Sequence, residues 1–302
     1  MERFPNFEQY QASASYAQIG EHKIAYWTAQ DAAAVENDEP WVLLIHGFPS
    51  AAWDWHNQWH VLRQKYRLVC LDLLGFGLSD KPNKHDYSLL EQADILEVLL
   101  AQLHIKRCHI LAHDYGDSVA QELLTRHAEK RSILSIQSVC YLNGGLFADC
   151  HRPLLTQKLL KSPLGPLMAR FMSQSSLHRS FAKIFGPSSP PDAAHIAILY
   201  ALLEWKQGKR VLPHLLKYID ERKAQASRWI NAMQHTSVPQ CFINGVHDPI
   251  SGQHMLNQFE HLLPHAQTYA LQVGHYPQLE APKEVTALYL AFVNHLGEPT
   301  LK

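Results

Sequence analysis

Short apolar runs alternate along the chain with longer segments of helical periodicity, from residue 41 onward. Each apolar run is bounded by turn residues, and an uninterrupted run of this kind is typical of a strand buried on both faces. Strands that alternate with helices predict βαβ units and a mainly parallel sheet. We therefore predict an α/β fold with strands at 41–46, 66–72, 108–113, 136–142, 240–245 and 267–273.

The segments between these strands complete the predicted core. Apolar residues at helical spacing predict helices at 88–103, 117–129, 252–263 and 281–296. Near the start of the chain, IGEHKIAYWTAQ has a turn at Gly20, which predicts an antiparallel hairpin on the edge of the sheet.

One long interval interrupts the alternation of strands and helices. From Gly144 to about Gln234 the sequence has helical spacing and no convincing strand. We predict that residues 144–236 form a helical cap inserted between two strands of a core domain made of 1–143 and 237–302. Such an insertion would lie over the crevice in which open α/β sheets bind ligands.

The composition and net charge of the chain indicate which kinds of molecule it could bind. The chain has 302 residues, 46% hydrophobic and 18% charged, with a net charge of −1, as is typical of a globular protein. No run of five or more basic residues occurs, so nothing in the net charge favours nucleic acid or an anionic membrane as partner. We expect a small apolar or weakly polar organic substrate, and the oligomeric state stays open.

Cysteines, histidines and hydropathy point to a cytoplasmic protein without cofactors. No apolar stretch approaches the roughly 18 residues of a membrane span, and the first twenty residues lack the pattern of a signal peptide. The 20 histidines show no HExxH or paired CxxC spacing, so we predict no metal site. Five cysteines are an odd number, and we expect reduced thiols at Cys70, Cys108, Cys140, Cys150 and Cys241.

One segment has the pattern of a nucleophile elbow. In LAHDYGDSVAQELL (111–124), an apolar strand runs into a tight turn and then directly into a helix. Small residues flank the nucleophile of such an elbow because strand and helix approach closely there. Ala112 and Gly116 are the small residues here, and Asp114 has the place that serine usually takes. The segment predicts Asp114 as a nucleophile.

The alternative is that Asp114 only caps the helix that follows. Asp117 is better placed as a cap, and Ser118 with Gln121 matches a capping box. These residues leave Asp114 without a role in capping, which favours the nucleophile.

A second segment supplies an oxyanion hole. HGFPSAAWDW (46–55) follows the first predicted parallel strand, where a loop in this fold contributes one backbone N–H. We predict the N–H groups of Phe48 and Tyr115 as the two donors. Trp55, at the end of the segment, is a candidate substrate contact.

An acid and a histidine are expected next, each after a late strand. Asp248 follows one strand in FINGVHDPI, and His275 follows the next in LQVGHYPQLEAP. Asp248 has an alternative reading as a turn residue before Pro249, and His247 is a weaker candidate for the same set. The order Asp114, Asp248, His275 predicts a catalytic triad.

An aspartate nucleophile restricts the chemistry. A carboxylate is already ionised at neutral pH, so it attacks without a base and leaves the histidine free for a second step. Attack on saturated carbon gives an alkyl ester, which a histidine-activated water then cleaves at the Asp carbonyl. Epoxides and alkyl halides are the substrates that fit this sequence of steps.

Opening an epoxide also requires a proton donor for the ring oxygen. A phenol suits this task, and the predicted cap contains Tyr200 and Tyr218. Tyr218 fits either a proton donor or a packing residue on the apolar face of a cap helix. Tyr200 is a candidate substrate contact that is explained more readily as a core residue.

These motifs resemble α/β-hydrolases of the epoxide hydrolase and haloalkane dehalogenase group. The resemblance covers about residues 20–297, and GFGLSDKP, NGGLF, HRPLLTQKLLK and HYPQLEAP are most similar to mesoderm-specific transcript hydrolases and their bacterial relatives. It rests on HGFPxxxxxW (46–55), DLLGFGLSDKP (72–82), HDYG (113–116), the Asp248 loop and Gly-His at 274–275.

The resemblance implies an α/β-hydrolase fold and a role for each motif residue. It implies Asp114 as nucleophile, His275 as base and Asp248 as its partner. It also implies Phe48 and Tyr115 as backbone oxyanion donors. Tyr218 stands where epoxide hydrolases carry a cap tyrosine.

Two departures favour epoxides over haloalkanes. Tyr115 replaces the tryptophan of most members, and Phe48 replaces the asparagine of many dehalogenases. Epoxide hydrolysis is therefore the leading hypothesis, with haloalkane dehalogenation as the alternative. A non-catalytic ligand receptor on the same scaffold is a remote alternative, which the complete triad disfavours.

Overall fold

Eight strands form one sheet in the computed structural model, which describes residues 6–30 and 40–296. The order across the sheet is β1-β2-β4-β3-β5-β6-β7-β8. The strands are β1 (Ser15–Ile19), β2 (His22–Ala29), β3 (Trp41–Ile45), β4 (Leu68–Leu71), β5 (Arg107–His113), β6 (Ser135–Leu142), β7 (Gln240–Gly245) and β8 (Gln267–Leu271).

The sheet is mainly parallel, as predicted. From β4 through β8 every neighbouring pair is parallel, and only β1 with β2 and β2 with β4 pair in the antiparallel sense. The central strands are buried along their whole length, which explains their uninterrupted apolar runs. The α/β fold and all six predicted parallel strands are confirmed.

The predicted hairpin is also present. β1 and β2 pair from Ser15–Tyr26 to Ile19–His22, and β1 lies at the edge of the sheet. Gly20 has a φ of +56°, a backbone conformation that favours glycine and explains the turn.

The core helices include four that the sequence predicts and others that it does not. The predicted helices are α3 (Leu89–Gln102), α4 (Tyr115–Ala128), α11 (Gln253–Leu262) and α13 (Pro282–His295). The short helices that the periodicity does not reveal are α1 (Phe7–Ala12), η1 (Ala52–Trp55, a 3-10 helix), α2 (His56–Leu62) and α12 (Pro277–Glu280).

The start of α4 corrects one prediction. The helix begins at Tyr115, two residues before the predicted start, with Asp114 at the N-cap position. Ser118 therefore lies inside the helix and forms no capping box with Gln121; its hydroxyl accepts a hydrogen bond from Arg222 instead. The helix starts directly at the elbow, so the turn is shorter than the predicted capping residues indicate.

Helices fill the described chain between β6 and β7, and no strand interrupts them. The last of them packs on α4, where Trp229 and Arg228 donate hydrogen bonds to the Glu122 carboxylate. The inserted helices are α5 (Leu155–Lys161), α6 (Gly165–Arg170), α7 (Gln174–Phe181), α8 (Ala193–Glu204), η2 (Trp205–Val211), α9 (Leu212–Leu215) and α10 (Tyr218–His235).

The structure also describes the cysteines, the apolar character of the helices and the extent of the core domain. All five cysteines are free thiols, and Cys150 is the one that is partly exposed. Across residues 6–30 and 40–296, no helix combines the length and the apolar character that crossing a bilayer requires. Parts of the predicted core domain, at 1–5, 31–39 and 297–302, lie outside the described residues.

Candidate active site

The turn between β5 and α4 holds Asp114 in a left-handed backbone conformation. Its φ is +47° and its ψ −101°, values that non-glycine residues rarely adopt outside functional turns. A Cβ on Gly116 would lie 2.5 Å from the carbonyl oxygen of Ile45, so only glycine fits where α4 crosses β3. The predicted elbow geometry is present, and the neighbouring backbone fixes it.

The Asp114 side chain does not cap the helix. It accepts no hydrogen bond from the first turn of α4, and its Oδ2 accepts one from the Phe48 N–H at 3.1 Å. The predicted oxyanion donor on the HGFP loop therefore contacts the predicted nucleophile directly. Oδ1 does not bind this N–H; its hydrogen-bond donor is Arg222, at 3.3 Å.

Two side chains hold the HGFP loop in place. His46 accepts a hydrogen bond from the Leu73 N–H through Nε2, at 3.0 Å. Asp72 accepts from the N–H groups of Ala52 and Leu78 and from the Tyr10 hydroxyl. The buried aspartate thus ties the end of the HGFP segment to the GFGLSD loop, which positions the Phe48 N–H.

His275 and Asp248 form the predicted pair. His275 Nδ1 lies 2.7 Å from Asp248 Oδ2, and both side chains are buried. Asp248 also accepts hydrogen bonds from the N–H groups of Ile250 and Ser251 and from the Ser251 hydroxyl. These bonds explain why Asp248 has a role beyond that of a turn residue before Pro249. His247 is exposed and takes no part.

Asn143 is a further member of this centre that the sequence reasoning missed. Its Nδ2 donates to Asp248 Oδ2 at 3.1 Å and to the Gly245 carbonyl, and its Oδ1 accepts from the Gly245 N–H. It thereby links the ends of β6 and β7. The first residue of NGGLF was a signal for it, because polar residues that follow parallel strands meet at one edge of the sheet.

The electrostatics of the three predicted residues are coupled. Burial alone would raise the pKa of Asp114, but the charges of Arg222 and His275 keep that pKa below its usual value. Burial alone would lower the pKa of His275, but the charge and hydrogen bond of Asp248 and the charge of Asp114 raise it to about 9. These interactions favour the carboxylate form of Asp114 and the imidazolium form of His275 in the free protein.

Arg222 of α10 reaches the nucleophile, and no motif in the sequence indicates it. Its Nη2 lies 2.8 Å from the Asp114 carbonyl oxygen and 3.3 Å from Oδ1, and its Nε donates to the Ser118 hydroxyl at 2.6 Å. The side chain is 2% exposed. A buried ion pair therefore joins the inserted helices to the elbow.

Tyr218 lies one helical turn before Arg222 and belongs to the same group. The Arg222 guanidinium lies 4.4 Å from the centroid of its ring, a cation–π arrangement. Its ring also packs near those of Phe48 and Tyr115, with centroids at 6.1 and 5.0 Å. Burial and the charge of Asp114 raise the pKa of Tyr218, so its phenol keeps its proton.

The two other candidate substrate contacts lie apart from this group in the described contacts. Tyr200 donates a hydrogen bond to the Met172 carbonyl at 3.3 Å, and the Lys209 ammonium lies over its ring. Trp55 is fully buried in η1. None of the described hydrogen bonds or ring contacts joins either residue to Asp114 or His275.

The inserted segment also touches the base. The His275 N–H donates to the Ile184 carbonyl at 2.7 Å, and the Phe185 ring stacks on that of Tyr276. Beside them lies a cavity of about 610 Å³, whose lining includes Trp53, Phe185 and Glu280 but neither Asp114 nor His275. Asp114 is 3% and His275 2% exposed, so a substrate enters only if neighbouring side chains move.

One group of potential metal ligands lies away from this centre. His85 Nε2 is 2.8 Å from both carboxylate oxygens of Glu91, and His22 Nε2 lies 4.0 Å from one of them. The contacts are those of a partly exposed histidine–glutamate pair.

Comparison with known proteins identifies the family. A family model described as the alpha/beta hydrolase fold matches residues 40–158. The mesoderm-specific transcript protein of Mus musculus is 41% identical over 274 residues, which cover 88% of this chain and 82% of that protein. The chain belongs to the α/β-hydrolase family. The resemblance that the motifs indicate is therefore confirmed.

Two further proteins that resemble this α/β-hydrolase have different enzyme names. The cis-3-alkyl-4-alkyloxetan-2-one decarboxylase of Shewanella oneidensis is 27% identical over 260 residues, 81% of this chain and 79% of that one. The haloalkane dehalogenase DbeA from Bradyrhizobium elkani USDA94 superposes with a TM-score of 0.78 over 94% of this chain and 98% of that chain. Its identity of 18% shows a shared fold alone.

Proposed function

We propose that this α/β-hydrolase cleaves bonds at saturated carbon through an alkyl ester on Asp114, and that its substrates are epoxides, which it converts to diols. The observation that carries the proposal is the position of Asp114. It stands at the elbow with one oxygen on the Phe48 N–H, in the same centre as the hydrogen-bonded pair His275–Asp248. An ionised carboxylate in this place is a nucleophile that needs no base.

In the first step, Asp114 Oδ1 attacks a carbon of the epoxide ring. The new bond joins Oδ1 to carbon, the ring C–O bond breaks, and the ring oxygen takes a proton from Tyr218. The support for Tyr218 is its packing against Phe48, Tyr115 and Arg222, together with a phenol that is protonated at neutral pH. A phenol matches the basicity of the emerging alkoxide.

In the second step, His275 activates a water that attacks the ester carbonyl of Asp114. The ester carries no charge, so one of the charges that raise the pKa of His275 is lost when it forms. The imidazolium then releases its proton more readily, to the Tyr218 phenolate that the first step leaves, and becomes a base. The Phe48 and Tyr115 N–H groups would stabilise the tetrahedral oxyanion. Asp248 holds Nδ1 and orients the ring.

The inserted helices, residues 144–236, act in this proposal as a cap over the elbow of the core, 1–143 and 237–302. Arg222 contacts Asp114 and the Ile184 carbonyl contacts the backbone of His275, so the segment packs against both reacting groups. The partners are a small organic substrate and water, and every step uses groups of the chain itself. Trp55 and Tyr200 remain candidate substrate contacts.

Haloalkane dehalogenation is the alternative reaction of the same nucleophile. Tyr115 and Phe48 supply no side-chain N–H to a departing halide, which favours the epoxide. The relative from Shewanella oneidensis is named for action on an oxetan-2-one, a strained oxygen-containing ring, as an epoxide is. Halide release from bromoalkanes without diol formation from epoxides would reverse this order.

A single turnover in H₂¹⁸O tests the ester mechanism. With enzyme in excess over a styrene oxide-type epoxide, we expect ¹⁸O in the peptide that contains Asp114 and an unlabelled diol, because water attacks the aspartyl carbonyl. Label in the diol with an unlabelled Asp114 peptide would mean direct attack of water on the epoxide and would overturn the proposal. A non-catalytic receptor would give no diol and no label.

A further inference from the structure

We propose that the natural epoxide carries a carboxylate next to the ring, and that Arg222 binds this carboxylate. The inference rests on the proposed function and deepens it, because it names the substrate class: 2,3-epoxycarboxylates. It starts from hydrogen-bond donors of Arg222 that have no partner among residues 6–30 and 40–296.

Three of the five N–H groups of Arg222 have partners within the protein. Nε donates to the Ser118 hydroxyl, and Nη2 donates to the carbonyl and to Oδ1 of Asp114. Nη1, with two N–H groups, is buried and has no hydrogen-bond partner among the described residues. A buried guanidinium with unused donors is costly unless a ligand accepts from them.

Gly145 packs closely against Nη1. A Cβ on Gly145 would lie 2.4 Å from Nη1, so only glycine fits beside this end of the guanidinium. His151 also lies beside Gly145, and its Nε2 is buried without a partner among the described residues. Burial lowers the pKa of His151 to about 3, so its ring is neutral and donates or accepts according to tautomer. Two buried polar groups without described partners therefore lie on the same glycine, beside the arginine that contacts the nucleophile.

The charge balance of the reaction favours an anion beside Arg222. In the free protein, the Asp114 carboxylate balances the buried charge of Arg222 at 3.3 Å. Formation of the alkyl ester neutralises Asp114 and would leave Arg222 as a buried, unpaired cation. A carboxylate on the alkyl group restores the pair. Because the attacking oxygen is the one beside Arg222, a substituent on the carbon next to the attacked one comes within reach of the guanidinium.

The charge of the inserted segment agrees with an anionic substrate. Residues 151–191 contain six lysines and arginines and no aspartate or glutamate, although the whole chain has a net charge of −1. Five of the six are exposed, and Lys161 pairs with Asp220. A one-signed surface next to a site raises the local concentration of ligands of opposite charge. The net charge of the whole chain conceals this feature.

The proposed overall reaction is balanced by water alone. A 2,3-epoxycarboxylate and one water give a 2,3-dihydroxycarboxylate. Oδ1 of Asp114 forms the bond to the ring carbon, the ring C–O bond breaks, and Tyr218 supplies the proton to the oxygen. His275 returns a proton to Tyr218, water cleaves the ester, and the proton that the water releases restores the imidazolium of His275. The carboxylate of the substrate does not react.

A matched pair of substrates tests the inference: trans-2,3-epoxyhexanoate and its primary amide, which differ in charge but hardly in shape. We expect wild type to prefer the acid by at least about tenfold in kcat/KM, which corresponds to one full charge-assisted contact. The preference should fall to about one in Arg222→Met and only partly in Arg222→Lys. Lys223→Met is the matched control, since Lys223 is the exposed neighbour on α10, and it should keep the full preference.

The outcomes separate the two proposals. If wild type opens neither substrate nor any neutral epoxide, the proposed function fails. If it turns over the amide as well as the acid, the function stands and the carboxylate inference is overturned. The acid-to-amide ratio is measured within one protein, so a general loss of activity in Arg222→Met does not affect it. Should that variant fail to fold, the wild-type ratio and that of Arg222→Lys decide.

Discussion

The helix after the elbow and the first inserted helix differ sharply in how much they bury. α4 buries twelve of its fourteen residues, including Asp117 and Glu122, whereas α5 buries only Leu160 of seven. Large apolar side chains remain exposed on α5, on α6 and on the residues directly before and after α6, at Leu155, Leu159, Leu164, Leu167 and Phe171. The core is thus fixed by packing, while the first inserted helices bury few side chains.

The core and the inserted segment contribute different residues to the site. The core supplies Asp114, Asp248 and His275 from the turns and loops that follow β5, β7 and β8. The inserted segment supplies Arg222 and Tyr218 from α10 and His151 from the loop before α5. These residues lie beside a nucleophile with almost no exposed surface. Elements with few buried contacts open at lower free energy, so we expect substrate to enter by movement of the first inserted helices rather than of the sheet.

The largest expected effect comes from the core nucleophile. Asp114→Asn removes the charge that attacks the ring but keeps the shape and the Phe48 contact. We expect kcat/KM for epoxides to fall by about 10⁴-fold or more, with the fold retained. Diol formation by chromatography and circular dichroism measure the two. Activity within tenfold of wild type would exclude Asp114 as nucleophile.

The next effect concerns the second step and its pH dependence. Hydrolysis of the ester requires neutral His275, so its rate should rise with pH. The rise should level off below about pH 9, because the charge of Asp114 is absent from the ester. Asp248→Asn removes another charge that raises the pKa of His275, which shifts the rise to lower pH. We also expect a rate on the order of 10³-fold lower, since the ring loses its orienting carboxylate.

Single-turnover rates between pH 5 and 10 measure both changes. A profile that is flat in wild type, or that moves to higher pH in Asp248→Asn, would contradict the assignment of His275 as base. Ser251→Ala is a milder control, because it removes one hydrogen bond to Asp248 without changing its charge.

A smaller effect tests the inserted segment. Tyr218→Phe removes the proposed proton donor, and we expect epoxide opening to slow by about 10²-fold, while any hydrolysis of an alkyl halide is little changed. Tyr269→Phe is the matched control, since its hydroxyl donates to the Gln267 side chain on β8 and to no reacting group. Equal losses in the two variants would remove Tyr218 as the donor.

The smallest expected effect is a difference in the free energy of unfolding between two glycine-to-alanine variants. Gly116→Ala places a Cβ against the backbone of β3 and should lower the free energy of unfolding by about 2 kcal/mol. Gly20→Ala meets no neighbour within 4 Å and should cost about 1 kcal/mol, from its positive φ alone. Urea unfolding of both variants measures the difference. A larger loss at Gly20 would contradict the tight approach at the elbow.

The core was readable from sequence because its signals are local. Buried parallel strands are continuous apolar runs, and a strand–turn–helix with small flanking residues has few explanations besides an elbow. The predicted start of α4 was wrong because Asp117 and Ser118 do not cap the helix. They are buried for tertiary reasons, and Ser118 accepts a hydrogen bond from Arg222. The position of Asn143 directly after a parallel strand would also have predicted its place in the site.

The inserted segment was less predictable for physical reasons. Arg222 lies in ERKAQASRW, where its spacing fits an exposed helix face, and only the packing of α10 on α4 brings it to Asp114. The unused donors of Nη1 likewise depend on Gly145, which is distant in sequence. Such contacts leave no periodic or motif signal, and for the same reason the role of Tyr218 could not be separated from packing.

The most direct test of the central claim is the mass of the covalent intermediate. His275→Gln should form the ester at Asp114 but hydrolyse it slowly, so the intact protein should gain the mass of the epoxide. Peptide mapping should place that mass on the segment containing Asp114. No added mass under conditions where wild type forms diol, or an adduct on a different residue, would contradict the account.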